Sequence, residues 1–192
     1  WGLPNEDRYQ SLHPDEPVIW QYAQGLEPAK LQLSPGFYNY GTLYLTTLKV
    51  ASDMVAVYSG APPAAERQRS WQFAGACHLA GRWINAIAGS ATALLVFFIL
   101  RRRVGPFASA MGAGLVAFAP GFVVHSKFQT VDVFATFLLT VGAFYAFRVW
   151  DELAPDLESL NTKLVQKFVL LSGLFFGLSA GTKYTGILGV LI

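Results

Sequence analysis

An all-α, polytopic membrane fold is predicted by three features: charges that crowd into the first eighty residues and the short connections, long uncharged apolar runs, and polar residues at helical spacing between them. Of the 192 residues, 53% are hydrophobic and only 14% are charged, a balance that soluble domains rarely show. A net charge of +2 without a basic stripe of interleaved aromatics argues against a nucleic-acid partner. The single cysteine, Cys77, rules out an internal disulfide or a cysteine metal cluster, and its apolar surroundings predict a buried thiol. The chain opens on Trp1 and closes inside an apolar run at Ile192, so it reads as an excerpt of a longer protein.

From Trp1 to Ser70 the sequence is polar or amphipathic and is punctuated by Pro4, Pro14, Pro17, Gly25, Pro28, Pro35 and Gly36. No piece of it is apolar for long enough to cross a bilayer. Val18 to Lys30 reads as a short helix with Ile19, Tyr22, Ala23 and Leu26 on one side and Pro28 threatening its end. Asn39 to Tyr58 is a clearer amphipathic helix. Asn39, Thr42, Thr46, Lys49 and Asp53 form its polar stripe, opposite Tyr40, Leu43, Tyr44, Leu48, Ala51 and Val55. Tyr38, Tyr40, Tyr44 and Tyr58 suit either a headgroup boundary or packing against another protein helix. Gly60-Ala61-Pro62-Pro63 ends that helix.

Four spans follow, so residues 1–70 read as a loop domain and 71–192 as a helical bundle. Ser70 is placed to cap a helix that enters the uncharged run Trp83 to Leu100. After Arg101-Arg102-Arg103, Val104 to Val124 returns, with Pro120 predicted to kink it near its exit. The third span runs from Val131 to Trp150 with Asp132 at its entrance. A polar connection, Asp151 to Lys167, leads to the fourth at Phe168, where Gly173, Gly177 and Gly181 form a stripe that admits a neighbouring helix. Arg101 to Arg103, Arg148, Lys163 and Lys167 share one side, which the positive-inside rule makes cytoplasmic, although Arg67, Arg69, Arg82 and Lys127 reduce the contrast. Asp15, Glu16, Arg82, His125, Lys127 and Asp132 then fall on the external side.

The most constrained polar stretch is His13-Pro14-Asp15-Glu16-Pro17, two adjacent carboxylates between prolines. The prolines stiffen the backbone and push their preceding residues toward extended geometry. Two readings stay open: a catalytic acid pair, or an ordinary helix start with acidic residues and a proline in its first turn.

The acid pair, the Arg-led span after it and the second Asp at a span entrance together resemble membrane glycosyltransferases of the GT-C fold, family 39, which includes protein O-mannosyltransferases and bacterial relatives. The resembling pieces are Gly2-Leu3-Pro4, His13 to Glu16, Tyr38-Asn39-Tyr40-Gly41, Arg82, Phe128 to Asp132, and Thr182-Lys183-Tyr184-Thr185-Gly186. The resemblance implies a sugar donor on a polyprenyl phosphate, transferred with inversion to a protein, lipid or glycan hydroxyl. The site would face the external side of a bacterial-type cytoplasmic membrane, and membrane lipid would surround the protein.

Such a transfer needs a carboxylate to take the acceptor proton, for which Asp15 is the candidate, with Glu16 supporting it and Asp132 completing the site. The anionic leaving group needs fixed positive charge, for which Arg82 and Lys127 are available; both also suit snorkelling to headgroups. His125 and Tyr40 are further substrate-binding candidates. Asp132 can orient the acceptor or pair with Arg82 or Lys127, and Asp15, Glu16 and Asp132 can supply oxygen ligands to magnesium or manganese. No histidine spacing makes a recognisable zinc site. Lys183 reads as a cation that snorkels or pairs inside the bundle. Competing readings are a secondary transporter, against which stand the long amphipathic loop and the lack of a discernible inverted repeat, and a membrane scaffold without chemistry.

Overall fold

The computed structural model describes residues 2–8, 11–58, 60, 70–153 and 161–191. The break at Ala61-Pro62-Pro63, Arg67, Arg69 and much of the polar connection after Leu153 lie outside the described residues. Those described form α1 (Asp15–Ala23), α2 (Thr42–Tyr58), α3 (Trp71–Arg101), α4 (Pro106–Ala117), α5 (Pro120–Ser126), α6 (Val131–Leu153) and α7 (Thr162–Thr182). Tight 3-10 turns add Pro28–Lys30 and Tyr184–Leu191. Among the described residues no strand forms beyond one isolated bridge, Glu27 to Gln32. The protein is an α-helical membrane protein in which α3, α6 and α7 are each long and apolar enough to cross a bilayer.

The second expected span, Val104 to Val124, differs. Instead of one kinked helix, α4 and α5 meet at 60°. Ala119, preceding Pro120, takes an extended backbone with ψ near 120°, as the proline ring demands, so the helical ladder stops and restarts. Proline at the first turn of each piece suits a helix start, where its missing N–H costs nothing.

The first helix is shorter than expected. α1 ends at Ala23 because Gly25 follows and Pro28 holds Glu27 outside helical torsions. Ile19, Ala23 and Leu26 are nonetheless all buried, since the turn returns Leu26 to the same core. α2 lays Tyr44, Leu45 and Leu48 into that core against Cys77 and Ala80 of α3 and Val131 of α6. Full burial of an apolar side chain of this size is worth about 2 kcal/mol, so α2 is anchored by protein contacts. Tyr44 is therefore a core residue, its ring 5.6 Å from Phe134, and not a headgroup anchor. Tyr38 and Tyr58 remain exposed, as does the apolar set Val50, Met54 and Val57 along the outer side of α2.

Ser70 caps α3 as expected, its hydroxyl accepting the Phe73 N–H at 3.1 Å. α6 packs extensively along α7. Ser172 donates to the Gly142 carbonyl at 3.0 Å and Ser179 to the Ala135 carbonyl at 2.9 Å. The glycine that admits a neighbour here is Gly142, where a Cβ would stand 2.5 Å from the Phe176 ring, whereas Gly173 and Gly177 face open space. Only the third member of the expected stripe is closely approached: the Gly41 N–H donates to the Thr182 carbonyl at 2.9 Å, and a Cβ on Gly41 would fall 1.9 Å from the Gly181 oxygen. Gly41 thus joins the segment just before α2 to the end of α7.

Candidate active site

α3 carries His78, Arg82 and Asn85 at spacings of four and three, so all three project from one face. Each grips a different part of what surrounds it. Asn85 Nδ2 donates to the carbonyls of Phe128 and Thr130 at 2.6 and 2.7 Å. His78 Nδ1 lies 3.1 Å from Gln129 Oε1, an atom that only accepts, so the imidazole donates there. Gly81 makes room for Gln129, since a Cβ would lie 2.4 Å from its side chain. The segment between α5 and α6 is therefore held to α3 at three consecutive residues.

Arg82 does the rest. Its Nε donates to Glu16 Oε1 at 2.8 Å and its Nη2 to Glu16 Oε2 at 2.9 Å, while Nη2 also reaches the Gly2 carbonyl at 3.1 Å. Glu16 Oε1 accepts the Gln129 N–H as well, at 3.0 Å. Burial pushes the Glu16 carboxyl up, but the Arg82 hydrogen bonds and the Gln129 N–H outweigh it and hold the group below the usual carboxylate range. Glu16, fully buried, thus ties α1 to α3 and to the α5–α6 connection.

Asp15 sits one residue earlier in a different setting. It is half-buried, and no hydrogen bond to its carboxylate is made among the described residues. Its backbone N–H donates to His13 Nδ1 at 3.2 Å. The His13 ring lies 4.9 Å from Phe128 and meets His125 edge-on at 6.0 Å, which brings His125 beside the acid corner. Arg82 covers the Phe128 ring at 5.4 Å.

Asp132 stands in the first turn of α6 and pairs with Lys183, just beyond α7, rather than with Arg82 or Lys127. The sequence offered Arg82 or Lys127 as its partner; the return of α7 brings a third cation, Lys183. Tyr40, half-buried, lies within electrostatic reach of both acids: burial, then the charges of Asp15 and Asp132, raise its phenol, and Lys183 offsets part of this. It stays a hydrogen-bond donor at neutral pH. Asp15, Asp132 and Lys183 thus all act electrostatically on Tyr40.

Lys127 is exposed at the C-terminal end of α5 and makes no ion pair among the described residues. Beside it are two cavities of about 340 and 250 Å³, both bordered by Ala86, Ser126 and Lys127 and otherwise mostly apolar. Arg82 also borders the larger of the two and is at the same time paired with Glu16.

A shared cation site does not follow from these positions. Both Glu16 oxygens are taken, Asp132 faces Lys183, and among the described residues no group of three His, Cys, Asp or Glu stands together to hold an ion. Sequence reasoning missed His78, Asn85 and Gln129, and only the polar spacing along α3 signalled the first two.

The comparisons with known proteins concern the larger part of this architecture. A profile described as dolichyl-phosphate-mannose-protein mannosyltransferase matches residues 44–192, from α2 to the chain end. The polyprenol-phosphate-mannose--protein mannosyltransferase of Corynebacterium glutamicum is 28% identical over 142 residues, covering 66% of this chain and 27% of the relative. The chain thus spans about a quarter of the length of the curated relative it matches. No solved structure matches it. With α2 to α7 inside the match, the chain belongs to the dolichyl-phosphate-mannose-protein mannosyltransferase family.

Proposed function

We propose that this chain carries the acid corner and several spans of a multi-pass glycosyltransferase that moves a sugar, mannose by analogy with the relative's name, from a polyprenyl phosphate to a protein hydroxyl. Residues 1–70 form the catalytic loop domain on the external side and 71–192 part of the transmembrane bundle, with the broken α4–α5 pair as one span. What carries the reading is the contrast within the acid pair: Glu16 is consumed by Arg82 and Gln129, while the adjacent Asp15 carboxylate accepts no hydrogen bond among the described residues and is left for chemistry.

In the reaction, the acceptor oxygen attacks the anomeric carbon from the face opposite the phosphate. Its proton passes to Asp15 as the bond to the phosphate oxygen breaks. The configuration inverts, and the polyprenyl phosphate leaves as an anion that Lys127 neutralises at the mouth of the apolar cavities beside α3 and α5. Asp132, fixed by Lys183, and the Tyr40 hydroxyl orient the acceptor.

The test is Asp15→Asn in the full-length protein, with a panel of polyprenyl-phosphate sugars as donors and release of the free lipid phosphate as readout. A lost base should lower turnover by about 10²–10⁴-fold with donor binding retained. Near-wild-type turnover would reduce Asp15 to a helix-start residue, a role asparagine fills as well.

A further inference from the structure

α1 begins without the usual side-chain cap. Its N-cap position is Pro14, which offers no acceptor, and Asp15 does not fold back to serve as one. The first-turn amides are met from one residue further out. His13 Nδ1 accepts the Asp15 N–H at 3.2 Å, and the His13 carbonyl accepts the Glu16 N–H at 3.2 Å. Pro17 has no N–H to satisfy. His13 therefore supplies both acceptors for the two amides that carry the acid pair.

The side-chain bond has a recognisable geometry. Nδ1 of histidine is attached to Cγ, as Oδ1 of asparagine is, and a bond from that atom to the N–H two residues on is the Asx-turn arrangement. The ring lies against Phe128 of the α5–α6 connection at 4.9 Å and His125 of α5 at 6.0 Å. Because that connection is itself clamped to α3 by Asn85 and to α1 by Glu16, the ring is held where it meets the Asp15 backbone.

We propose that His13 is the positioning residue for Asp15: its ring, wedged against Phe128 and His125, presents Nδ1 as the acceptor that fixes the Asp15 amide and so the direction of the carboxylate. This rests on Asp15 being the general base. In this role His13 acts through Asp15.

Two substitutions separate the parts. His13→Phe keeps a ring against Phe128 and removes the acceptor; His13→Asn restores the acceptor at the equivalent atom without the ring. In the full-length protein, His13→Phe should lower kcat about tenfold with KM for the polyprenyl-phosphate sugar unchanged, as loss of orientation does. His13→Asn should recover most of that loss. The amide readout is independent of turnover: hydrogen exchange in a peptide covering residues 14–20 should be faster in His13→Phe and near wild type in His13→Asn. Wild-type kcat in His13→Phe, or a His13→Asn variant as slow as His13→Phe, would overturn the proposal, as would unchanged exchange in His13→Phe. If the wild-type protein releases no lipid phosphate from any donor, the reading of Asp15 as a base fails instead, while the exchange result still decides whether His13 fixes its amide.

Discussion

The two ends of the bundle use the same chemistry, arginine against carboxylate, to opposite effect. At the α1 end, Arg82 meets a fully buried Glu16 through two hydrogen bonds, and both carboxylate oxygens are engaged. At the other end, Arg103 meets Asp151 at 3.0 Å and Arg102 meets it at 3.4 Å, with the arginine side chains 31% and 45% exposed. Burial decides what each pair is worth. A desolvated pair cannot lose one member without stranding the other, a cost of about 3–5 kcal/mol, whereas a wet pair is worth about 0–1 kcal/mol. The first holds three elements together; the second decorates a helix junction.

The largest effect expected from this contrast is on stability. Arg82→Met strands the Glu16 carboxylate and should lower unfolding free energy by about 3–5 kcal/mol, or prevent accumulation of folded protein altogether. Arg103→Met should stay within about 1 kcal/mol. Thermal unfolding of both variants in one detergent measures the difference. Equal shifts would mean that the Glu16 pair is not the keystone its burial implies.

A smaller effect follows from pH. The Glu16 carboxyl is held below its ordinary value of 4.5 in the folded state. A depressed carboxylate contributes stability that is fully present above the unfolded value and is lost as pH falls through the folded one. Acid unfolding should therefore steepen below about pH 4.5, and Glu16→Gln should flatten that limb while lowering stability at neutral pH. A Glu16→Gln profile parallel to wild type would assign the acid sensitivity to other groups.

The same contrast explains what could be read from residue order. The long spans, the Ser70 cap and the buried Cys77 were legible because each depends on its own neighbours along the chain. The adjacency of Asp15 and Glu16 was legible too, but their division of labour was not. Glu16 finds Arg82 at a separation of 66 residues and Gln129 at 113, and nothing local marks which of two neighbouring acids will turn inward. Lys183 reaches Asp132 only because α7 returns alongside α6. Tyr44 stood open between a headgroup boundary and a protein neighbour, since its burial against α3 is a tertiary event. The break between α4 and α5 was half-visible: Pro120 marked the place, while the angle depended on Ala119 adopting extended torsions.

The smallest effect is expected at Asp151, and its smallness is informative. Asp151 accepts from both Arg102 and Arg103, and Arg103 also covers the Phe147 ring at 4.4 Å. Asp151→Ala removes the ion pairs but leaves that ring contact and exposes two arginines to solvent or headgroups, which readily receive them. The stability change should be at most about 1 kcal/mol and should shrink further as salt screens the wild-type pairs. Orientation should not change either, because it follows the lysines and arginines of short connections, with acidic residues contributing little. Single cysteines near residues 13 and 102, placed in a Cys77-free full-length background, report this through an impermeant thiol reagent applied to intact cells. With or without Asp151, label should enter at the α1 end and not at the arginine end. Labelling at the arginine end in the wild type would invert the proposed sidedness, and labelling there only in Asp151→Ala would make that exposed pair a determinant of topology, contrary to the weight its exposure gives it.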